Sequence, residues 1–289
     1  MKTAALRVED RRASAAARAA RLKMLRHCTA LMLFLGLSFS AGQPALAWSE
    51  DGNRAVADIA TRRLTRSAMH EVKILLAIEH RKSLADIANS ANQLRSTHPA
   101  TRPWYYVDIP LTEDSYDASR DCVQGACLIA KIAEFRAVLG NKSKPKAARL
   151  EALEYLVGLV SDLHQPLRCS NNGDRGGRDV KVAGYLGSKD LNAVWDEGII
   201  KASALTSPDT GQKLNGKISA AHAKDWSRGS VIQWANESHG VARNFIYTHL
   251  PDSSGNLPPN YQKESEPIVA LQLQKAGVRL AAVLNATLK

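Results

Sequence analysis

The sequence predicts an all-α fold. Apolar residues recur at helical spacing through most of the chain, non-helical segments are few, and no repeat or linker divides it. Val56, Ile59, Ala60 and Leu64 share one helix face, and so do Leu153, Leu156, Val157, Val160 and Leu163. Further helices are expected from Ser67 to Arg95, Ala126 to Val138, Leu191 to Ala204, Ser230 to Tyr247 and Ser265 to Leu288. Two segments interrupt them. Arg102 to Pro110 is aromatic-rich between prolines and reads as extended, while Ser170 to Gly177 is an Asn- and Gly-rich loop that precedes a short alternating stretch, Asp179 to Val182.

With 289 residues, 45% of them hydrophobic, the chain has material for one substantial core, so a single domain at 48–289 is expected. Residues 1–47 read as an export leader. A basic stretch precedes the apolar run Ala30 to Leu37, and Ala45-Leu46-Ala47 is a small-residue cleavage site. Translation from Met24 would shorten this leader and leave the domain unchanged. The processed chain would begin at Trp48 and be secreted or periplasmic. No later segment is expected to reach the roughly 18 apolar residues a membrane-spanning helix needs.

The formal charge of +11 overstates the basicity of the processed chain. The leader holds eight of the 39 basic and two of the 28 acidic residues, which leaves a net +5. A mildly basic surface suits an anionic partner, and it is equally an ordinary solvated exterior. In an oxidising compartment Cys122 and Cys127 read as a small loop disulfide, and Cys169 is left as a buried thiol or a partner for another chain.

Chemistry concentrates in three words. They are Ser161-Asp162-Leu163-His164-Gln165-Pro166-Leu167, Asp174-Arg175-Gly176-Gly177, and Leu191-Asn192-Ala193-Val194-Trp195-Asp196. Asp162 lies four residues after Gly158 and Asp196 four after Asn192, the spacing at which one helix face presents two metal ligands. In order, these words resemble the Gly-Asp-x-His-Gln-Pro-Leu-His, Asp-Arg-Gly-Gly-Asn and Asn-Leu-His-x-x-Trp-Asp words of the S1/P1 nuclease family. Trp48-Ser-Glu-Asp-Gly52, Trp104-Tyr-Tyr-Val-Asp108, Trp234-Ala-Asn-Glu237-Ser238 and Ala276-Gly277-Val-Arg279-Leu280 extend the likeness over nearly all of the chain past the leader.

That resemblance implies the multi-helix fold shared with zinc-dependent phospholipase C, and three zinc ions that polarise a phosphodiester and generate the attacking hydroxide. It also implies nine ligands, counting the free amino end of the first residue. Carried over residue by residue, Trp48, Asp162 and Asp196 keep the family type. The six other positions carry Asn53, Asn92, Tyr105, Gly158, Arg168 and Asn192, and no ligand histidine is left. Amide and phenol oxygens are poor zinc donors, so the full cluster is not expected. Residual binding of one divalent ion by Asp162, Asp196 and the Trp48 end stays open. Arg168, a permanent cation, is expected either to pair with Asp162 or Asp196 or to turn to solvent.

No other machinery is legible. His222 with Asp225 is the nearest approach to a new metal pair, at weak spacing, and His164 is expected to hydrogen-bond or pack near a helix end. Asp108, Asp162 and Asp196 could gather as acid and base, and one of Trp48, Trp104, Tyr105, Tyr106 and Trp195 could stack on a nucleobase. No nucleophile elbow, phosphate-binding glycine loop or dinucleotide fingerprint is present. The expectation is an exported nuclease-like protein, catalytically degenerate, holding phosphate, nucleotides or single-stranded DNA or RNA. The alternatives are an endonuclease with a reduced metal site and a secreted structural or interaction protein.

Overall fold

Capping residues mark where the helices begin. Ser49 accepts from the Gly52 amide at 3.2 Å and opens α1 (Glu50–Thr61), with Glu50 and Asp51 favourably placed in its first turn. Thr65 does the same for α2 (Arg66–Leu76). The computed structural model describes residues 48–289, so the expected leader lies outside the described residues.

The long helix expected from Ser67 to Arg95 is broken. His80 adopts a left-handed conformation, φ 56°, and Ser83 and Asp86 form a capping box that starts the chain afresh. Short 3-10 turns at Ala77–Glu79 and Leu84–Ile87 therefore separate α2 from α3 (Ser90–Thr97). Apolar spacing continues across the break, which is why periodicity alone misses it. A second correction falls on Arg102 to Pro110. Its first part belongs to 3-10 turns at Pro99–Tyr105, where two prolines fix φ without spoiling so short a helix, and extended chain begins only at Tyr106.

After the Cys122–Cys127 disulfide come α4 (Leu128–Gly140) and α5 (Lys146–Leu163). Most of α5 from Leu150 to Leu163 is buried, so it is the central helix, apolar on nearly every side. Phe135 of α4 stacks on Tyr155 of α5 at 4.3 Å between ring centroids. A hairpin follows, β1 (Lys181–Tyr185) antiparallel to β2 (Ser188–Asp190), beginning two residues later than the expected alternation. The expected helix from Leu191 is three consecutive pieces: α6 (Leu191–Ala193), a π turn (Val194–Gly198) and α7 (Ile199–Ala202). Three short helices were not legible in the sequence, the single turn Ala118–Asp121 before the disulfide, α8 (Thr210–Gly216) and α9 (Ala220–Trp226). The last two precede α10 (Val231–Asn244) and α11 (Tyr261–Thr287).

α11 packs along α1 and α5. A Cβ on Gly277 would lie 2.5 Å from Ile59, so only glycine allows α1 this close. The expectation that nothing past the leader could cross a membrane meets one exception. α11 is long and apolar enough, with mean hydropathy 1.2, yet 67% of that stretch is buried inside the fold, as befits a core helix.

Candidate functional site

The site grows from three backbone elements: the end of α5 with the turn after it, the π turn, and the start of the described chain. Trp48 is fully buried, and its indole Nε1 donates to the Ser161 carbonyl at 3.1 Å. The next residue ties the π turn down, with the Ser49 amide donating to the Asp196 carbonyl at 2.6 Å. Asn53, one turn into α1, is saturated. Its Nδ2 donates to the Trp48 carbonyl at 3.2 Å and to Asn89 Oδ1 at 3.1 Å, and its Oδ1 accepts from Ser161 Oγ at 2.6 Å.

Asp162 and Asp196 are both buried, 1% and 6% exposed. Arg168, 4% exposed, sends Nη2 to Asp196 Oδ2 at 3.3 Å, and Gln165 Nε2 donates to Asp196 Oδ1 at 2.5 Å. Of the two orientations open to Arg168, the structure takes the buried pair, and with Asp196. Burial pushes the Asp162 carboxyl up to about 6 and the Asp196 carboxyl up to about 7, with Arg168 opposing both shifts. Asp162 Oδ2 has no hydrogen-bond partner among the described residues.

Two further arginines complete the cluster. Arg95, at the end of α3, is 7% exposed, and its guanidinium lies 4.9 Å from the Tyr105 ring centroid. Its pKa is lowered, first by burial and then by Arg168. Arg178 follows the glycine pair of the loop and is partly buried, its pKa lowered by burial and then by Arg168. Neither stood out in the sequence. Arg95 reads as one more polar residue in a helical stretch. Arg178 was readable, since it stands where the family's Asp-Arg-Gly-Gly-Asn word ends in Asn.

Other candidates disperse. Asp108 does not join the buried aspartates; burial raises its pKa, followed by Asp121. Trp48, Tyr105 and Trp195 are fully buried, with the Tyr105 hydroxyl donating to the Ala91 carbonyl at 2.6 Å and Trp195 Nε1 to the Tyr261 hydroxyl at 2.9 Å. Trp104 packs against Phe135 and Tyr155, which leaves Tyr106, 36% exposed, as the open ring of the five. His222 stacks on Trp226. Cys169 is a buried thiol whose Sγ donates to the Leu163 carbonyl at 3.3 Å, and burial pushes its pKa up.

The S1/P1 nuclease family model matches residues 48–289, the whole of the described chain. The chain belongs to the S1/P1 nuclease family. Endonuclease 4 of Arabidopsis thaliana is similar at 28% identity over 269 residues, spanning 83% of this chain and 89% of the relative. Nuclease P1 of Penicillium citrinum is 25% identical over 82% of this chain and 97% of its own length. Nuclease S1 of Aspergillus oryzae is 25% identical over 86% and 96%.

Two words shared with the S1/P1 family serve the scaffold. Arg279 donates twice to Glu237, at 2.8 and 2.7 Å, and also to the Trp226 carbonyl and to His164 Nε2. His164 Nδ1 faces the Val160 carbonyl at 2.8 Å, so the ring donates there and accepts from Arg279. That arrangement requires a neutral imidazole, and burial with Arg279 holds its pKa down to about 3. His164 thus packs and bonds at the end of α5 as expected.

A zinc cluster does not fit the residues present at the positions the S1/P1 resemblance assigns. Asn53 has both side-chain groups committed, Tyr105 is held by Ala91, and a guanidinium bonds Asp196. A Cβ on Gly158 would meet the Ala91 Cβ at 2.5 Å, so α3 and α5 leave no room there for an imidazole. Among the described residues, no three His, Cys, Asp or Glu side chains gather as a metal group. Two carboxylates already facing guanidiniums cannot offset six added positive charges.

Proposed function

We propose that this S1/P1 family member has exchanged its zinc cluster for internal arginine counter-charges, has lost metal-dependent hydrolysis with it, and retains a cleft that holds phosphate or single-stranded nucleic acid. The observation that carries this reading is the buried Arg168–Asp196 pair at 3.3 Å. A cation that cannot be deprotonated occupies a ligand position, and it both repels a dication and supplies the charge the carboxylate needs. We further propose export, on the leader pattern before Trp48.

The test takes processed protein beginning at Trp48, measures its zinc content, and incubates it with single-stranded DNA and RNA at mildly acidic and neutral pH with and without added zinc. The reading expects sub-stoichiometric metal and no cleavage above buffer. About three zinc ions per chain with cleavage would overturn it. The orphan Asp162 Oδ2 is the one observation that favours a second reading, a single divalent ion held with Asp196 and the Trp48 amine. One bound ion with zinc-dependent cleavage would select that alternative.

A further inference from the structure

We infer that Arg178, together with Arg168 and Arg95, forms a metal-free binding site for a phosphate group at the cleft. The inference rests on the proposed phosphate-holding reading and assigns the residues that carry it.

Backbone geometry places Arg178. The preceding Gly177 accepts from the Asn192 amide at 3.3 Å, and Asn192 stands one helical turn before Asp196. Gly177 has φ +82°, and a Cβ there would sit 3.1 Å from that amide, so the loop is pinned against the helix that carries Asp196. From this position the Arg178 charge acts on Arg168, Asp196 and Arg95.

Hydrogen-bond partners then show what the cluster lacks. Asp190 and Asp179 add their charges to that of Asp196 around Arg178, though each bonds another donor. Asp179 takes both Nε and Nη2 of Arg175 at 2.9 and 2.5 Å, and Asp190 caps α6 through the Ala193 amide at 2.9 Å. Among the described residues, Arg178 Nη1 has a long bond, 3.4 Å, to the Arg175 carbonyl. A second observation points the same way. Arg95 is over nine-tenths buried, and its Nη2 has no hydrogen-bond partner among the described residues. A buried guanidinium N–H without an acceptor is destabilising, and an incoming oxyanion would relieve it. Guanidinium forks match phosphate oxygens in pairs, and several of them around one site suit a tetrahedral dianion.

The experiment is calorimetric titration of the processed wild-type chain with inorganic phosphate, alongside Arg178→Gln, Arg178→Lys and the remote surface variant Lys142→Gln, with melting curves for each. Wild type and Lys142→Gln should bind alike. Arg178→Gln should bind about tenfold or more weakly, and Arg178→Lys should fall between, since it keeps charge without the fork. If Arg178→Gln fails to fold, the lysine variant carries the comparison. No phosphate binding by wild type at millimolar concentration, or equal binding by both Arg178 variants, overturns the site. A second arm uses a short oligodeoxynucleotide with and without a terminal phosphate. Phosphate binding through Arg178 without oligonucleotide binding keeps this site and removes the nucleic-acid reading. Oligonucleotide binding indifferent to Arg178 removes this site and leaves that reading standing.

Discussion

Replacing Arg168 with Ala tests the site's electrostatics most directly. The guanidinium and the Asp196 carboxylate are 5% and 9% exposed at the side chain and 3.3 Å apart, so neither can recover its hydration when the other is removed. At about pH 9, above the value of about 7 to which Asp196 is pushed, breaking the buried pair by deleting one partner costs about 3–5 kcal/mol, because the ionised carboxylate is left in low dielectric. Asp162, whose pKa Arg168 also holds down, adds to that cost rather than relieving it. For a domain of this size each kcal/mol moves the melting temperature by about 2–4 °C, so Arg168→Ala should melt about 6–20 °C below wild type. Urea unfolding followed by circular dichroism gives the free energy. The double variant Arg168→Ala, Asp196→Asn separates lost charge pairing from lost packing. It should be more stable than the single arginine variant, since no uncompensated charge remains at residue 196. A loss below about 1 kcal/mol, the range of exposed ion pairs, would refute the claim that Arg168 acts as a buried counter-charge.

Separate parts of the fold carry the other predictions. Gly158→Ala should destabilise by about 1–3 kcal/mol despite the better helix propensity of alanine, because the added methyl meets Ala91, and Ala91→Gly should restore part of the loss in the same urea assay. Dialysis against a chelator should leave the melting temperature within about 1 °C of the untreated protein, well under the shift a kcal/mol would give; a fall of several degrees would place a structural metal in the fold. Glu237 has its pKa lowered, burial being outweighed by Arg279 and Lys275. Its stabilising effect is therefore present above the ordinary glutamate range near 4.5 and lost as pH falls through and below it. The wild-type advantage over Glu237→Gln should hold at neutral pH and shrink as pH falls below 4.5 towards about 3, and an advantage that grows on acidification would reverse the assignment. Replacing Cys122 and Cys127 together with serine should cost about 2 kcal/mol, the loop-closure entropy expected for so short a ring, read as a lower urea midpoint at unchanged slope.

Most of the scaffold was legible because helical spacing and the shared words survive side-chain exchange. The C-terminal helix came within a few residues of its observed ends, and the expected face Leu153 to Leu163 lies inside the central helix, which begins earlier, at Lys146. What periodicity hid was punctuation. His80 breaks the expected second helix by its backbone conformation alone, and an apolar stripe continues on both sides of it. Pro99–Tyr105 looked extended because prolines and aromatics dominate its composition, while in a 3-10 turn those same prolines are harmless. At the site, the two aspartates and the orientation open to Arg168 could be weighed from sequence. Arg95 could not, since its burial depends on α3 leaning against α5 at Gly158, a tertiary contact with no local signature.

Arg279 carries a consequence of another kind. It joins α11 to α10 through Glu237, to α9 through the Trp226 carbonyl, and to the end of α5 through His164, without using Arg95, Arg168, Arg178, Asp162 or Asp196. One helix terminus therefore serves two electrical circuits that share no side chain. A library randomised at the partly buried residue 178 should still yield folded protein in most clones, whereas even conservative exchange at 279 should empty the library.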